Sequence, residues 1–243
     1  MFDHVGIRVS DRAASRRFYE RVLEPLGHRL DHPGEHYDEW EDFAIAQADA
    51  RRPLTRGLHV AFVAASMGEV DAFWQAGVAA GHPSDGEPGL RPVYHEDYYG
   101  AFLLDPDGNS VEAVHHGRLR RGPNVLDHLW IRVADIAPSR AFYTAVAPVL
   151  GHRVREGRAG RVHVEGNDRS FTLLEGPPTE NLHLAFSAAD DAAVDAFHRA
   201  AVAAGYRDNG APGERPEYHP GYYAAFVLDP DGTNVEAVCH HHQ

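Results

Sequence analysis

The chain has 243 residues, 43% hydrophobic and 24% charged, an ordinary globular make-up with room for two compact domains. A formal net charge of −13 repels phosphate backbones and anionic lipid surfaces, so neither nucleic acid nor membrane is an expected partner. No apolar run approaches the roughly 20 residues of a bilayer span, a single cysteine, Cys239, excludes an internal disulfide, and the opening MFDHVGIRV enters a strand pattern at once and leaves no room for a signal peptide, so the cytoplasm is the expected location.

In chain order, HVGIRV alternates, with His4, Gly6 and Arg8 on one face and Val5, Ile7 and Val9 on the other. Asp11 suits the N-cap of a helix whose apolar residues Ala14, Phe18 and Val22 fall at helical spacing, and Pro25 and Gly27 end it. LHVAFVA, at 58–64, reads as a strand and leads into a helix with Val70, Phe73 and Val78 on one side, closed by Gly81. AFLLD and NSVEAV form a hairpin turned on DPDG. The irregular segment 29–57 is left to hold the remaining strands.

The second half then repeats the first. DHVGIRV at 3–9 meets DHLWIRV at 127–133, SRRFY meets SRAFY, and LGHR meets LGHR. LHVAF meets LHLAF, YHEDYYGAF meets YHPGYYAAF, and LLDPDGNSVEAV meets VLDPDGTNVEAV. Every match is offset by 124 residues, as from His4 to His128. This is an internal duplication of two equal units. The expected domains are 1–117 and 125–243, joined by a basic linker, RLRRGPN, at 118–124. The closing HHHQ follows a matching His115–His116 in the first half and reads as native sequence.

Three ionisable residues interrupt the apolar strands of each half: His4, His59 and Glu112, matched by His128, His183 and Glu236. Singly, such a histidine is a satisfied core residue and such a glutamate faces solvent. Together, two imidazoles and one carboxylate are the facial set that leaves open positions on a divalent metal. A cation would also supply the charge that a glutamate between Val111 and Ala113 needs. Segments 29–57 and 153–181 have drifted apart while all three pairs stay matched.

On DHVGIRV, SRRFY, LHVAF, LDPDGNSVEAV and their partners, nearly the whole chain resembles the vicinal oxygen chelate superfamily of glyoxalases, bleomycin resistance proteins and extradiol dioxygenases. The resemblance implies an α+β fold of tandem glyoxalase-like domains. Each would be made of paired βαβββ motifs forming a cupped β-sheet barrel with helices outside. It implies one divalent metal per cup, Fe, Mn, Ni, Zn or Co, held by His4, His59 and Glu112 in one and by His128, His183 and Glu236 in the other. The extradiol signature upstream of the last ligand places His95 and His219 as acid/base or oxygen-stabilising groups, against a plain reading of loop histidines with no role. Its tyrosine position holds Phe102 and Phe226, which speaks against catechol cleavage. Tyr98, Tyr99, Tyr222 and Tyr223 lie near but out of register, and Tyr99 and Tyr223 are carried as substrate-binding candidates. Gln47 and Glu175 are the weaker candidates for a fourth ligand.

Arg8 and Arg132 share the face of the first-strand histidine, where each either pairs with a carboxylate or holds an anionic substrate. Trp130 faces the cavity at the position that Gly6 occupies in the first unit, so the two cavities need not accept the same ligand. Phe18, Tyr19, Phe142 and Tyr143 read as core. The expected function is a metal-dependent lyase, isomerase or oxygenase acting on a small molecule with vicinal oxygens. The alternative is a small-molecule binding or antibiotic resistance protein of the bleomycin-resistance type, without catalysis. A monomer, as a pseudo-dimer of its two units, and a homodimer are both compatible with the duplication.

Overall fold

A computed structural model of the chain describes residues 1–117, 124–167 and 169–241; most of the linker expected at 118–124, and the last two residues of HHHQ, lie outside that range. In the first repeat the elements are β1 (Phe2–Val9), α1 (Arg12–Leu23), β2 (His32–Pro33), β3 (Tyr37–Trp40), β4 (Phe43–Gln47), β5 (His59–Val63), α2 (Met67–Ala79), β6 (Ser84–Leu90), β7 (Tyr99–Leu104) and β8 (Ser110–His115). In the second they are β9 (Leu126–Val133), α3 (Ile136–Val146), β10 (Arg153–Glu156), β11 (Val162–Glu165), β12 (Ser170–Glu175), β13 (His183–Ser187), α4 (Asp191–Ala203), β14 (Arg207–Glu214), β15 (Tyr222–Leu228) and β16 (Asn234–His240). Each repeat is thus βαβββ written twice, and the irregular segments hold β2–β4 and β10–β12. Among the described residues no helix is long and apolar enough to cross a membrane.

Local chemistry sets the element ends. The Asp11 carboxylate accepts from the Ala14 N–H at 2.9 Å and caps α1, while Pro25 and Gly27, at φ +81°, close the short turn that follows. In α2 the buried stripe is Val70, Phe73 and Gly77, and Val78, expected on that face, is exposed. A side chain at 77 would collide with Leu103, so glycine lets the helix lie close on β7. In the DPDG turn Asp105 accepts from the Asp107 and Asn109 N–H groups at 2.9 and 2.8 Å, and Asp229 does the same for Asp231 and Thr233.

The strands fall into two eight-stranded sheets, ordered β14-β15-β16-β13-β1-β4-β3-β2 and β10-β11-β12-β9-β5-β8-β7-β6. The sheets are cupped rather than closed barrels. Each pairs two βαβββ motifs, one from each repeat, because β1 lies beside β13 and β9 beside β5. The chain divides into two compact units, residues 6–130 and residues 1–5 with 131–243, so β1 and β9 are split between them. In the first unit Tyr19, Trp40, Phe43 and Phe62 are fully buried, with the Tyr19 and Phe43 rings 4.9 Å apart and Phe43 edge-on to Phe62 at 5.1 Å. In the second unit Phe142, Tyr143, Phe171, Phe186 and Phe197 are fully buried, and Phe2 reaches Phe171 at 6.3 Å. Each such side chain stabilises its unit by about 1.5–3 kcal/mol. Phe18, Tyr19, Phe142 and Tyr143 are core residues, as their helical spacing indicates.

Candidate metal centres

β5 and β8 run parallel with Ala61 opposite Glu112, and β9 runs antiparallel to β5 with Ala61 opposite His128. The two-residue alternation of a strand then puts His59, Glu112 and His128 on one face. Glu112 Oε2 lies 3.0 Å from His59 Nε2 and 3.6 Å from His128 Nε2. In the other unit Glu236 Oε2 lies 3.0 Å from His183 Nε2 and 3.8 Å from His4 Nε2, and the two imidazole nitrogens are 3.0 Å apart. Within each trio the ligand atoms are all within 4.8 Å of one another.

The grouping differs from the one the family resemblance implied. His4 stands with His183 and Glu236, not with His59 and Glu112, and His128 stands with His59 and Glu112. The same six side chains are involved. They regroup because each first strand has the fifth strand of the other repeat as its sheet neighbour.

The far side of each ligand group is held, which leaves the near side to converge. His128 Nδ1 lies 2.8 Å from Asp127 Oδ1 and donates to it. His59 Nδ1 lies 3.1 Å from Ser110 Oγ, and that hydroxyl donates to Asp85 at 2.7 Å. The Tyr98 hydroxyl donates to Glu112 Oε1 at 2.7 Å. Both Nε2 lone pairs and Oε2 therefore face one point beside the buried Glu112 carboxylate. The second trio is held at the same three atoms, by Asp3 at His4 Nδ1 (2.9 Å), the Tyr222 hydroxyl at Glu236 Oε1 (2.6 Å) and the Asn234 amide N–H, which donates to His183 Nδ1 (2.8 Å) where Ser110 accepts from His59. Two imidazoles and a carboxylate so oriented fit a divalent transition metal.

The supporting groups stay in the protonation states this requires. Burial, and then the charge of Glu112, push the Tyr98 hydroxyl well above its ordinary pKa, and burial with Glu236 does the same to Tyr222, so both remain donors. Burial alone would raise Asp127, but hydrogen bonds from His116 and His128 outweigh it and hold the carboxyl well below the usual carboxylate range. Asp3 is held low against burial by His240 and His4.

Other sequence candidates fall in different places. His95 does not reach the trio directly: its Nε2 lies 2.8 Å from His116 Nδ1, and His116 Nε2 lies 3.0 Å from Asp127. His219 likewise leads through His240 (2.9 Å) to Asp3 (3.0 Å). Tyr99 and Tyr223, expected to bind substrate, face the helices and donate to Asp71 and Asp195. Their neighbours Tyr98 and Tyr222 serve the trios instead, because adjacent strand positions point to opposite faces. Trp130 stands beside the first trio, its ring 5.5 Å from His59, with Phe102 5.9 Å away on the same histidine. Gln47 ties β4 to the start of α1, accepting from the Arg12 N–H and donating to the Ser10 carbonyl, and Glu175 is exposed; neither joins a trio. Arg8 is half-buried and Arg132 exposed, with their backbone N–H groups bonded to Thr55 and Thr179.

Residue-by-residue reading missed His116, His240, Asp3 and Asp127. Their signal is the duplication itself, since each pair keeps the 124-residue offset. A third grouping, Asp191, Cys239 and His241, has no such counterpart, the first repeat having Met67, His115 and Gly117 there.

The model of a family described as the Glyoxalase/Bleomycin resistance protein/Dioxygenase superfamily matches residues 1–113 and again 125–237. Among solved structures, glyoxalase I from Zea mays is similar over 98% of this chain and 92% of its own, at 21% identity and a TM-score of 0.68. A putative dioxygenase from Bacillus subtilis is similar over 98% of this chain and 84% of its own, at 15% identity and a TM-score of 0.64. At these identities the likeness concerns the fold. None of the curated proteins compared with the chain matches it.

Proposed function

The chain belongs to the Glyoxalase/Bleomycin resistance protein/Dioxygenase superfamily, and on that premise we propose that it is a metal-dependent enzyme acting on a small molecule with two adjacent oxygens, by glyoxalase-like or dioxygenase-like chemistry. The observation that carries this reading is the pair of trios, each a buried glutamate and two imidazoles whose outer atoms are all anchored. His59, His128 and Glu112 would hold one divalent cation, and His183, His4 and Glu236 a second. Bound there, such an ion supplies Lewis acidity to two neighbouring substrate oxygens. The chain's own part is to fix the donor set and shape the space around it. Tyr98 and Tyr222 keep one oxygen of each glutamate turned away from the open side. Trp130 and Phe102 give the first cup apolar walls beside His59.

Metal analysis of anaerobically purified protein tests this, beside Glu112→Gln and Glu236→Gln. Two metal equivalents are expected in the parent and one in each variant, with turnover that needs metal. A parent that takes up no metal on reconstitution sinks the enzyme reading and leaves a binding protein of the bleomycin-resistance type.

A further inference from the structure

We infer that His116 and His240 are positioning residues for the two metal centres, each steering the first-strand histidine through a shared aspartate. The inference deepens the metal-site reading above and rests on it.

In the first unit the hydrogen bonds run one way. The Asp97 backbone N–H donates to His95 Nδ1 at 3.2 Å, which leaves the proton of a neutral His95 on Nε2. That Nε2–H points at His116 Nδ1, 2.8 Å away. The His116 proton therefore sits on Nε2, which lies 3.0 and 3.1 Å from the two Asp127 oxygens. Asp127, fully buried, takes this proton's bond on one side and the His128 Nδ1–H on the other. With Nδ1 of His128 protonated, its Nε2 presents a lone pair toward Glu112. His116 is 5% exposed and engaged at both ring nitrogens, so its place is fixed.

The same order of residues stands in the other unit: His219, His240, Asp3, His4, linked at 2.9, 3.0 and 2.9 Å. Position 115 has changed to Cys239 between the repeats, while its neighbour His116 is kept as His240. A buried aspartate can lock an imidazole only while its own oxygens are satisfied and anionic, and His116 and His240 supply that second bond.

The test compares His116→Phe, which fills the space without hydrogen bonds, with His116→Gln, which can donate to Asp127 and accept from His95. Cobalt(II) titration followed by visible absorption is expected to show two sites in the parent. In His116→Phe one site weakens by roughly 10–100-fold, and in His116→Gln most of that loss is recovered. The unchanged second site shows that the variant is folded. Long-range imidazole 1H–15N spectra of the metal-free protein give the independent reading: the Nδ1–H form of His128 is expected in the parent and in His116→Gln, and mixed forms in His116→Phe. Parent affinity at both sites in His116→Phe, or an unaltered His128 tautomer, overturns the inference. A parent that binds no cobalt but shows the tautomer change loses the metal reading and keeps the positioning role.

Discussion

The two trios use the same residue types at the same strand positions, yet their surroundings differ in ways the duplication conceals. His59 is backed by a hydroxyl and a carboxylate, Ser110 and Asp85; His183 is backed by two amides, Asn234 and Asn209. In the first the hydrogen bonds run outward from His59 and place negative charge behind it; in the second they run inward, from Asn209 through Asn234 to His183 Nδ1, with no charge to give. The outer ends of the His–His–Asp chains differ as well. His95 Nδ1 accepts from a backbone N–H, whereas His219 Nδ1 faces the Pro220 carbonyl at 2.8 Å and must donate. Protons are then needed at both ends of the His219–His240 pair and one between its rings, one more than two neutral imidazoles carry. His240 accordingly has its pKa raised, chiefly by the hydrogen bond to Asp3. The two outer contacts are to different backbone atoms, the Asp97 N–H and the Pro220 carbonyl, so a copied set of side chains does not copy its hydrogen bonds.

The contrast can be broken most decisively at the regrouping itself. The double variant His128→Ala with Glu112→Gln should lose one metal equivalent, because both changes fall in one trio. His128→Ala with Glu236→Gln should lose two. The reverse pattern in metal analysis would restore the within-repeat grouping.

The next effect concerns the LGHR tetrapeptide common to both repeats. His28 Nε2 is bonded to the Val63 carbonyl at 2.9 Å, whereas His152 Nε2 has no hydrogen-bond partner among the described residues. Burial, then the charge of the N-terminal amine, lowers the His152 pKa to about 4. The unfolded chain therefore binds a proton that the folded chain refuses between about pH 6.5 and 4. Stability is full above that window and falls as the pH drops through it, by an upper bound of roughly 3 kcal/mol. Thermal unfolding of His152→Leu from pH 8 to 4 should show a shallower acid loss than the parent. Equal slopes would remove the distinction between the two histidines.

Tyr98→Phe and Tyr222→Phe should each cost about 1.5–3 kcal/mol by denaturant unfolding, because each strips a buried carboxylate of a donor. The two costs should match, as the bonds are 2.7 and 2.6 Å, and a cost confined to one would mean the glutamates are not equally supported. The smallest effect is at His240, whose imidazole 15N titration should run above that of an ordinary histidine because it donates to Asp3; an ordinary titration would remove that reading.

Much was legible in the residues because it depends on local rules. The 124-residue offset, the caps at Asp11 and in DPDG, and the buried faces of β1 and α1 follow from spacing and side-chain chemistry. So do the six candidate ligands, as polar interruptions of apolar strands. Helical spacing alone puts Val78 on the buried face, because it does not say that Gly77 gives up a side chain to admit Leu103. Spacing does not separate Tyr98 from Tyr99, because a one-residue shift in strand phase exchanges the two faces.

By itself, then, the sequence determined the order of elements, the duplication and the identity of the residues that could hold a metal. Only the tertiary structure decided which of them stand together, and that His116 and His240 stand behind them. The reason is that strand pairing is a long-range choice. A duplication offers every strand two equivalent neighbours, one in each repeat, and their residue patterns are alike. The alternation along β1 and β9 fixes which face a histidine is on, but only the sheet order β13-β1 and β9-β5 fixes which glutamate it meets.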